Sequence, residues 1–304
     1  MAKVFALAIK GGMPITVHIV TVLFNSGDVL DTFVASLRAQ SWPDWKLIAV
    51  DNGSSDGAPE RLAAIADPRI ELLRNRRNLG FARATNRGLR QGLSAGGKFF
   101  FLMNNDVAFE PDFLAGLMRD RAALDAEVIA PRIMYMKTPD KAWYAGGYFN
   151  DHWVFKSVHE ETVPQGSEPS RMVDFASGCC LGLSRAVLER VGLLDERFFV
   201  YFEDTDYCLR LKRAGIPIHY VPDQVMLHDS SALSGGHNSR RFIRLFYRSY
   251  IQLLMKYFGL AYALRAMLRL GLKNIRHRDS SGAPAGWSIW VAMLHGLASS
   301  VVRR

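Results

Sequence analysis

The chain has 304 residues, is 49% hydrophobic and carries a formal net charge of +9. It can therefore bury a large core, as one large domain or one domain with an appendage. Three cysteines, Cys179, Cys180 and Cys208, make no disulfide framework and no metal-finger spacing, and read as buried thiols of a reducing compartment.

The N-terminal "MAKVFALAIKGGMP" has one brief apolar run but no full signal-peptide core and no small-residue cleavage site, so no signal peptide is expected. The most apolar stretch, "GWSIWVAMLHGLASSVV", is short and diluted by Ser, His and Gly. A protein that is soluble or lies on a membrane surface is expected, not one that spans a membrane. The charge is localised. After Asp229 come 12 Lys and Arg against one acid, Asp279, which leaves 26 basic and 28 acidic residues before it.

In chain order, "ITVHIVTVLF" is a β-branched strand that runs into the turn formers "NSGD". "DVLDTFVASLRAQ" then places Val29, Leu30, Phe33, Val34 and Leu37 at helical spacing. "KLIAVD" and "IELLRN" are further short strands, each followed by a polar loop and helix-forming sequence, the second helix within "NLGFARATNRGLRQGL". "KFFFLM" follows and stops on Asn104, Asn105 and Asp106. Four such alternations imply an α/β fold with a mostly parallel, doubly covered sheet. Right-handed crossovers then bring Asp51 and Asp106, each at the end of a strand, to the same sheet edge, where open α/β sheets bind ligands.

The second half is less regular. "KSVHEETVPQGSEPSR" reads as a mobile loop, "AVLERVG" as a short helix and "DTDYCLRLKRAG" as an amphipathic helix closed by Gly215. "IPIHYVP" reads as a strand. Just after the aromatic run Phe198 to Phe202, Glu203, Asp204 and Asp206 crowd three carboxylates into four residues. Such crowding raises proton affinity, as a general base requires. A helix N-terminus also favours acids, and Asp206 fits that role alone.

The ordered set "NSGD", "VDNGSSDG", "NLGFARATNRG", "LMNNDV", "ASGCCLGLSR", "DERFFVYFEDTDYCLRLKRAG" and "VMLHDSS" resembles glycosyltransferase family 2, and within it the rhamnosyltransferase-like bacterial members. The resemblance runs from about Ile15 to Arg248. It implies a GT-A fold, transfer of a sugar from a nucleotide diphosphate with inversion, and a divalent metal, Mn2+ or Mg2+.

By the same resemblance Asp204 is the catalytic base of an "ED" motif, and Glu203 and Asp206 support the base or meet the acceptor. Asp51 contacts the nucleoside; Asn25, Gly80, Phe81 and Asn105 are read as further nucleotide-binding positions, with a plain helix entry an equal reading of Gly80 and Phe81. Ser177 and Gly178 line the sugar. Asp106 is the last residue of the metal motif and His228 completes that site. The motif's first position is Asn104 here, a neutral ligand at best, which leaves more of the coordination to substrate phosphates. His18, His152, His159 and His219 read as structural or surface residues.

These assignments divide the chain into a catalytic domain over 1–230, with a nucleotide half at about 15–110 and an acceptor half at about 111–230, and a basic helical extension over 231–304. From Ser230 to Arg278 there is no acid, and Phe242, Leu245, Phe246, Leu253, Leu254 and Tyr257 share a helix with Arg241, Arg244 and Arg248. Arg265, Arg269 and Lys273 then recur every four residues. A basic amphipathic region of this kind, 240–278, is expected to meet an anionic membrane surface.

The expected partners are thus a dTDP- or UDP-linked sugar, a glycan or lipid-linked glycan acceptor, and the inner face of the cell membrane from the cytoplasm. The competing readings are a catalytically dead binding or scaffold subunit, a nucleotidyltransferase and a basic nucleic-acid-binding protein. The last fits poorly with acids at the sheet edge, so no nucleic acid is expected as a partner.

Overall fold

The computed structural model describes residues 15–149, 155–157, 168–230, 239–273 and 285–301. The nucleotide half alternates as read: β1 (Val17–Leu23), α1 (Gly27–Arg38), β2 (Trp45–Asp51), α2 (Ala58–Ala64), β3 (Ile70–Arg74), α3 (Phe81–Ser94) and β4 (Phe99–Met103). These four strands are parallel, in the order β3-β2-β1-β4. All five side chains of β4 are buried, as expected of a central strand covered on both faces. On α3, a Cβ at Gly88 would stand 2.5 Å from Val20 Cγ1, so this helix crosses the sheet closer than any side chain there would allow.

The chain continues through β5 (Val107–Phe109), α4 (Phe113–Ala123), β6 (Val128–Tyr135), β7 (Ala142–Tyr144), β8 (Gly147–Phe149), β9 (Phe155–Ser157), β10 (Arg171–Val173), β11 (Cys180–Ser184), α5 (Arg185–Val191), α6 (Glu203–Arg213) and β12 (Ile218–His228). β11 lies antiparallel between β4 and β6, and makes the ten-stranded sheet mixed. β6 and β12 run parallel to each other, while β8 and β9 form a separate two-stranded ribbon.

Prolines lie inside two strands of this half. Pro131 sits inside β6, and Pro222 inside β12 at a register shift between Val221 and Val225. Proline ends a strand unless a bulge or irregularity absorbs its missing donor, so the strand read as "IPIHYVP" in fact continues to His228. Residues 158–167 of the loop read as mobile, with His152 and His159, lie outside the described residues. His18 and His219 sit on strands β1 and β12.

Three helices complete the chain: α7 (Arg240–Tyr257), α8 (Gly259–Lys273) and α9 (Ala285–Val301). They enclose a second apolar cluster of Ile243, Ile251, Leu254, Met255, Ala263, Met267, Ile289 and Met293, apart from the main core. α7 also docks on the rest of the protein: Ser249 Oγ donates to Val200 O at 2.7 Å, and the Phe242 ring meets the Tyr201 ring at 5.2 Å. The apolar face of α7 is thus spent on protein contacts. Among the described residues no helix is long and apolar enough to cross a membrane. Residues 274–278 of the basic region lie outside the described residues.

Candidate active site

β1 and β2 end side by side, Leu23 opposite Asp51, and their loops are tied together. Asn25, exposed and in the left-handed region (φ 52°), accepts from Ser55 N at 2.9 Å through Oδ1, and its own N–H donates to Ser54 Oγ at 3.1 Å. Asp51 is buried and accepts from Ser54 N at 2.9 Å, which closes the turn that follows it.

The neighbouring Asn52 has no role in the sequence reading, yet it organises the next loop. Its side chain donates to Asn78 Oδ1 (3.0 Å) and Gly80 O (3.3 Å), and accepts from Leu79 N (2.9 Å) and Asn75 Nδ2 (3.1 Å). Its position directly after Asp51 is the only signal in the sequence that could have found it. Asn105 turns inward: it is 1% exposed and donates to Val22 O at 2.9 Å and Ser26 Oγ at 3.1 Å. It braces the β1 loop from beneath.

Gly80 and Phe81 make their close approach to the protein itself. Phe81 N donates to Phe199 O at 2.6 Å, and a Cβ on Gly80 (φ 90°) would lie 2.5 Å from that same oxygen. Only glycine fits there. This contact joins the nucleotide half to the aromatic loop before α6.

At the other end of the sheet edge, β5 pairs with the end of β12, Val107 opposite His228. Asp229 N donates to Asp106 O at 2.8 Å, and the Asp106 carboxylate faces His228 Nε2 at 3.2 Å with both side chains 5% exposed. The Trp143 ring stands edge-on to His228, with centroids 4.5 Å apart.

Two ligands bound at right angles to one Mg2+-sized ion lie about 3 Å apart, so an oxygen and a nitrogen at this separation suit one divalent cation. Among the described residues no group of three or more His, Cys, Asp or Glu could hold a metal. The protein would supply this pair, and phosphate and water would supply the rest.

The acidic motif opens α6, entered through Tyr201 and Phe202, both in the left-handed region (φ 67° and 68°). Bulky residues held there are strained, and such strain collects at functional sites. Asp204, partly exposed, accepts from Gly178 N (3.1 Å) and Thr205 N (2.7 Å). Ser177, buried, accepts from Cys179 N at 3.1 Å. Ser177, Gly178 and Asp204 are therefore brought together.

Glu203 is buried, and its Oε2 has no hydrogen-bond partner among the described residues. Asp206 does not join them. It is fully buried on the far side, gripped by Arg210 (3.0 Å), Lys256 and Tyr257 (2.8 Å). This corrects its expected place beside the base: the carboxylate holds α6 to α7.

Burial raises both remaining carboxyls. Glu203 is pushed up to about 8, by burial first and by the adjacent Asp204 charge second. Asp204 is raised by burial too, but the Gly178 and Thr205 N–H groups oppose the shift by favouring its anion. The first negative charge of the pair falls on Asp204, the group with donors.

Because folding raises the Glu203 pKa from 4.5 to about 8, the native state binds the extra proton between these values and stability declines as pH rises through them. Glu203→Gln is expected to flatten that decline and to be the more stable form at pH 8.5 by roughly 2–4 kcal/mol. Urea titrations at pH 5.5 and 8.5 measure it; parallel pH slopes for the two proteins would count against a neutral Glu203.

A mixed sheet with its ligand edge at the ends of β1, β2 and β4, and a carboxylate pair opening α6, is the architecture of a GT-A glycosyltransferase. Solved structures of that class superpose on it. GalNAc-T7 with UDP, GalNAc and Mn2+ matches at a TM-score of 0.63 and 14% identity, over 82% of this chain and 50% of that one. The mannosyltransferase PcManGT from Pyrobaculum calidifontis, in complex with GDP-Man and Mn2+, matches at 0.56 and 16% identity, over 100% of this chain and 81% of that one.

Residues 18–192 match the family "Glycosyl transferase family 2". The chain is 31% identical over 241 residues to the N-acetylglucosaminyl-diphospho-decaprenol L-rhamnosyltransferase of Mycobacterium tuberculosis, covering 71% of this chain and 77% of that protein. It is also 26% identical over 200 residues to the dTDP-rhamnosyl transferase RfbF of Shigella flexneri, covering 66% and 64%. The chain belongs to glycosyl transferase family 2, and it is a glycosyltransferase.

Proposed function

We propose that the chain transfers rhamnose, with inversion, from dTDP-rhamnose to a hydroxyl of a lipid-linked or growing surface glycan, at the inner face of the cell membrane. The donor and acceptor rest on the two relatives named above; a UDP-linked hexose is the other donor class. The observation that carries the reading is the single turn Ser177–Cys179. Gly178 N donates to Asp204, while Cys179 O accepts from Asn104 N at 2.9 Å, two residues before Asp106. The buried Cys179 thiol is pushed up by burial and then by the Asp106 and Asp204 carboxylates, so both charges lie within reach of one residue.

In this reading Asp204 takes the proton of the acceptor hydroxyl as its oxygen forms a bond to the anomeric carbon. The bond from that carbon to the diphosphate oxygen breaks on the opposite face. Ser177 and Gly178 border the sugar, and Asp51 and Asn25 border the nucleoside. Glu203, neutral at its side, adds no second charge to repel the developing sugar–phosphate dipole. Asp106 and His228 would hold Mn2+ or Mg2+, which when bound neutralises the departing diphosphate.

The test is a thermal-shift panel of dTDP, UDP, GDP and their sugars with and without each metal. Binding at 100 times the dissociation constant adds about 2.7 kcal/mol to the native state, a readable rise in melting temperature. The expected result is a metal-dependent rise with dTDP that disappears in Asp106→Ala. A rise with UDP or GDP alone would move the donor, and a dTDP rise indifferent to metal would remove Asp106 and His228 from the metal role.

A further inference from the structure

Large apolar side chains exposed among the described residues are concentrated on one short helix: Leu260, Tyr262, Leu264, Leu268 and Leu272 all belong to α8. The four leucines recur every four residues and are 46–59% exposed. α8 already buries an inner face, with Ala263 and Met267 in the cluster shared with α7 and α9. Its outward leucine row is therefore a second apolar face, exposed among the described residues. Arg265 and Arg269, both exposed, each follow a leucine of the row by one position and so flank it about 100° round the helix. From residue 240 to 273 the chain has no acid.

We infer that the outward face of α8 is a bilayer-docking surface, with Leu264, Leu268 and their row entering the headgroup–acyl boundary while Arg265 and Arg269 meet anionic headgroups. This rests on the reading that the basic C-terminal region meets an anionic membrane, and it assigns that contact to one face of one helix. α7, though more basic, packs on Val200, Tyr201 and the helical cluster.

At 15 residues α8 is about 22 Å long, too short to cross hydrocarbon and suited to lying along it. Pairing with a second copy would set the arginines of one row against those of the other, with no acid nearby to relieve them. α7 carries ring contacts towards both α8 and the catalytic loop. Tyr262 stacks on Phe258 at 4.7 Å where α8 follows α7, and on α7 the Tyr250 ring meets Phe202 at 5.5 Å, immediately before Glu203.

The experiment is co-sedimentation of the full chain with vesicles of phosphatidylcholine alone or with about one-quarter phosphatidylglycerol. The wild-type chain is expected to pellet with the anionic vesicles. Leu264→Ser with Leu268→Ser should reduce that binding roughly tenfold, and Arg265→Gln with Arg269→Gln roughly tenfold on anionic vesicles only. All four positions are exposed, so melting temperature and the nucleotide-induced shift should be unchanged.

Wild-type protein that binds no vesicle would overturn the membrane reading itself and leave glycosyl transfer standing. Wild-type binding that the leucine pair retains in full would overturn only the assignment to α8. A wild-type dimer by light scattering that the leucine pair turns into a monomer would give the surface to a second copy and overturn the inference too.

Discussion

Asp204→Asn is expected to lower transfer by about 10³-fold or more, in the upper part of the range for loss of a general base, while the nucleotide-induced melting shift stays close to that of the wild type. The amide keeps the shape, and its one oxygen can still accept from one of the Gly178 and Thr205 N–H groups, which hold different oxygens of the carboxylate. What it loses is the ability to take a proton. A small change in Asp204→Asn with a large one in Glu203→Gln would exchange the roles of the two acids. The comparison is informative because the two residues are adjacent and differ mainly in hydrogen bonding: Asp204 has two backbone donors, and Glu203 Oε2 has none among the described residues.

Lys256→Met should lower stability by about 3 kcal/mol. Lys256 Nζ bridges Asp195 Oδ2 at 2.7 Å and Asp206 Oδ1, and Asp206 has no exposure to share its charge with water. Removing the ammonium leaves Arg210 and Tyr257 to hold a carboxylate that three groups held before. The Asp195 carboxyl, itself half-buried, is kept well below the usual range by Arg197 and Lys256, so it too loses a partner.

Urea unfolding of Lys256→Met, Asp206→Asn and the double variant measures the coupling, and the double variant should lose less than the two singles together. Strict additivity would mean the cluster is not one network. Because the bridge ties α6, which carries Asp204, to α7, transfer activity is expected to fall with it in Lys256→Met, and the vesicle binding assigned to α8 is not.

Much of this protein could be read in order from its residues. The strands ending at Asp51 and Met103, the helix after Gly80 and the amphipathic helix closed by Gly215 all follow from local signals: β-branched apolar runs, turn formers and helical spacing. So does the sheet edge where Asp51 and Asp106 lie, because parallel strands joined by right-handed crossovers leave no other place for them. The resemblance carried by seven short motifs agreed with the family that residues 18–192 match.

Tertiary structure alone decided the remainder, because each remaining choice depends on a partner distant in sequence. Nothing in "EDTD" tells that Asp206 will meet Lys256, 50 residues away, while Asp204 turns to Gly178, 26 residues back. Asn105 reads as an open strand-end residue until β1 is placed beside β4, where its amide finds Val22 O. β11 could be oriented only by pairing with β4 and β6, and the run of β12 past Pro222 to His228 shows only in its irregular pairing with β6. The basic tail shows two helices with apolar and cationic faces. Only packing reveals that the face of α7 is consumed against Tyr201 and Val200, and that the leucine row of α8 remains in water.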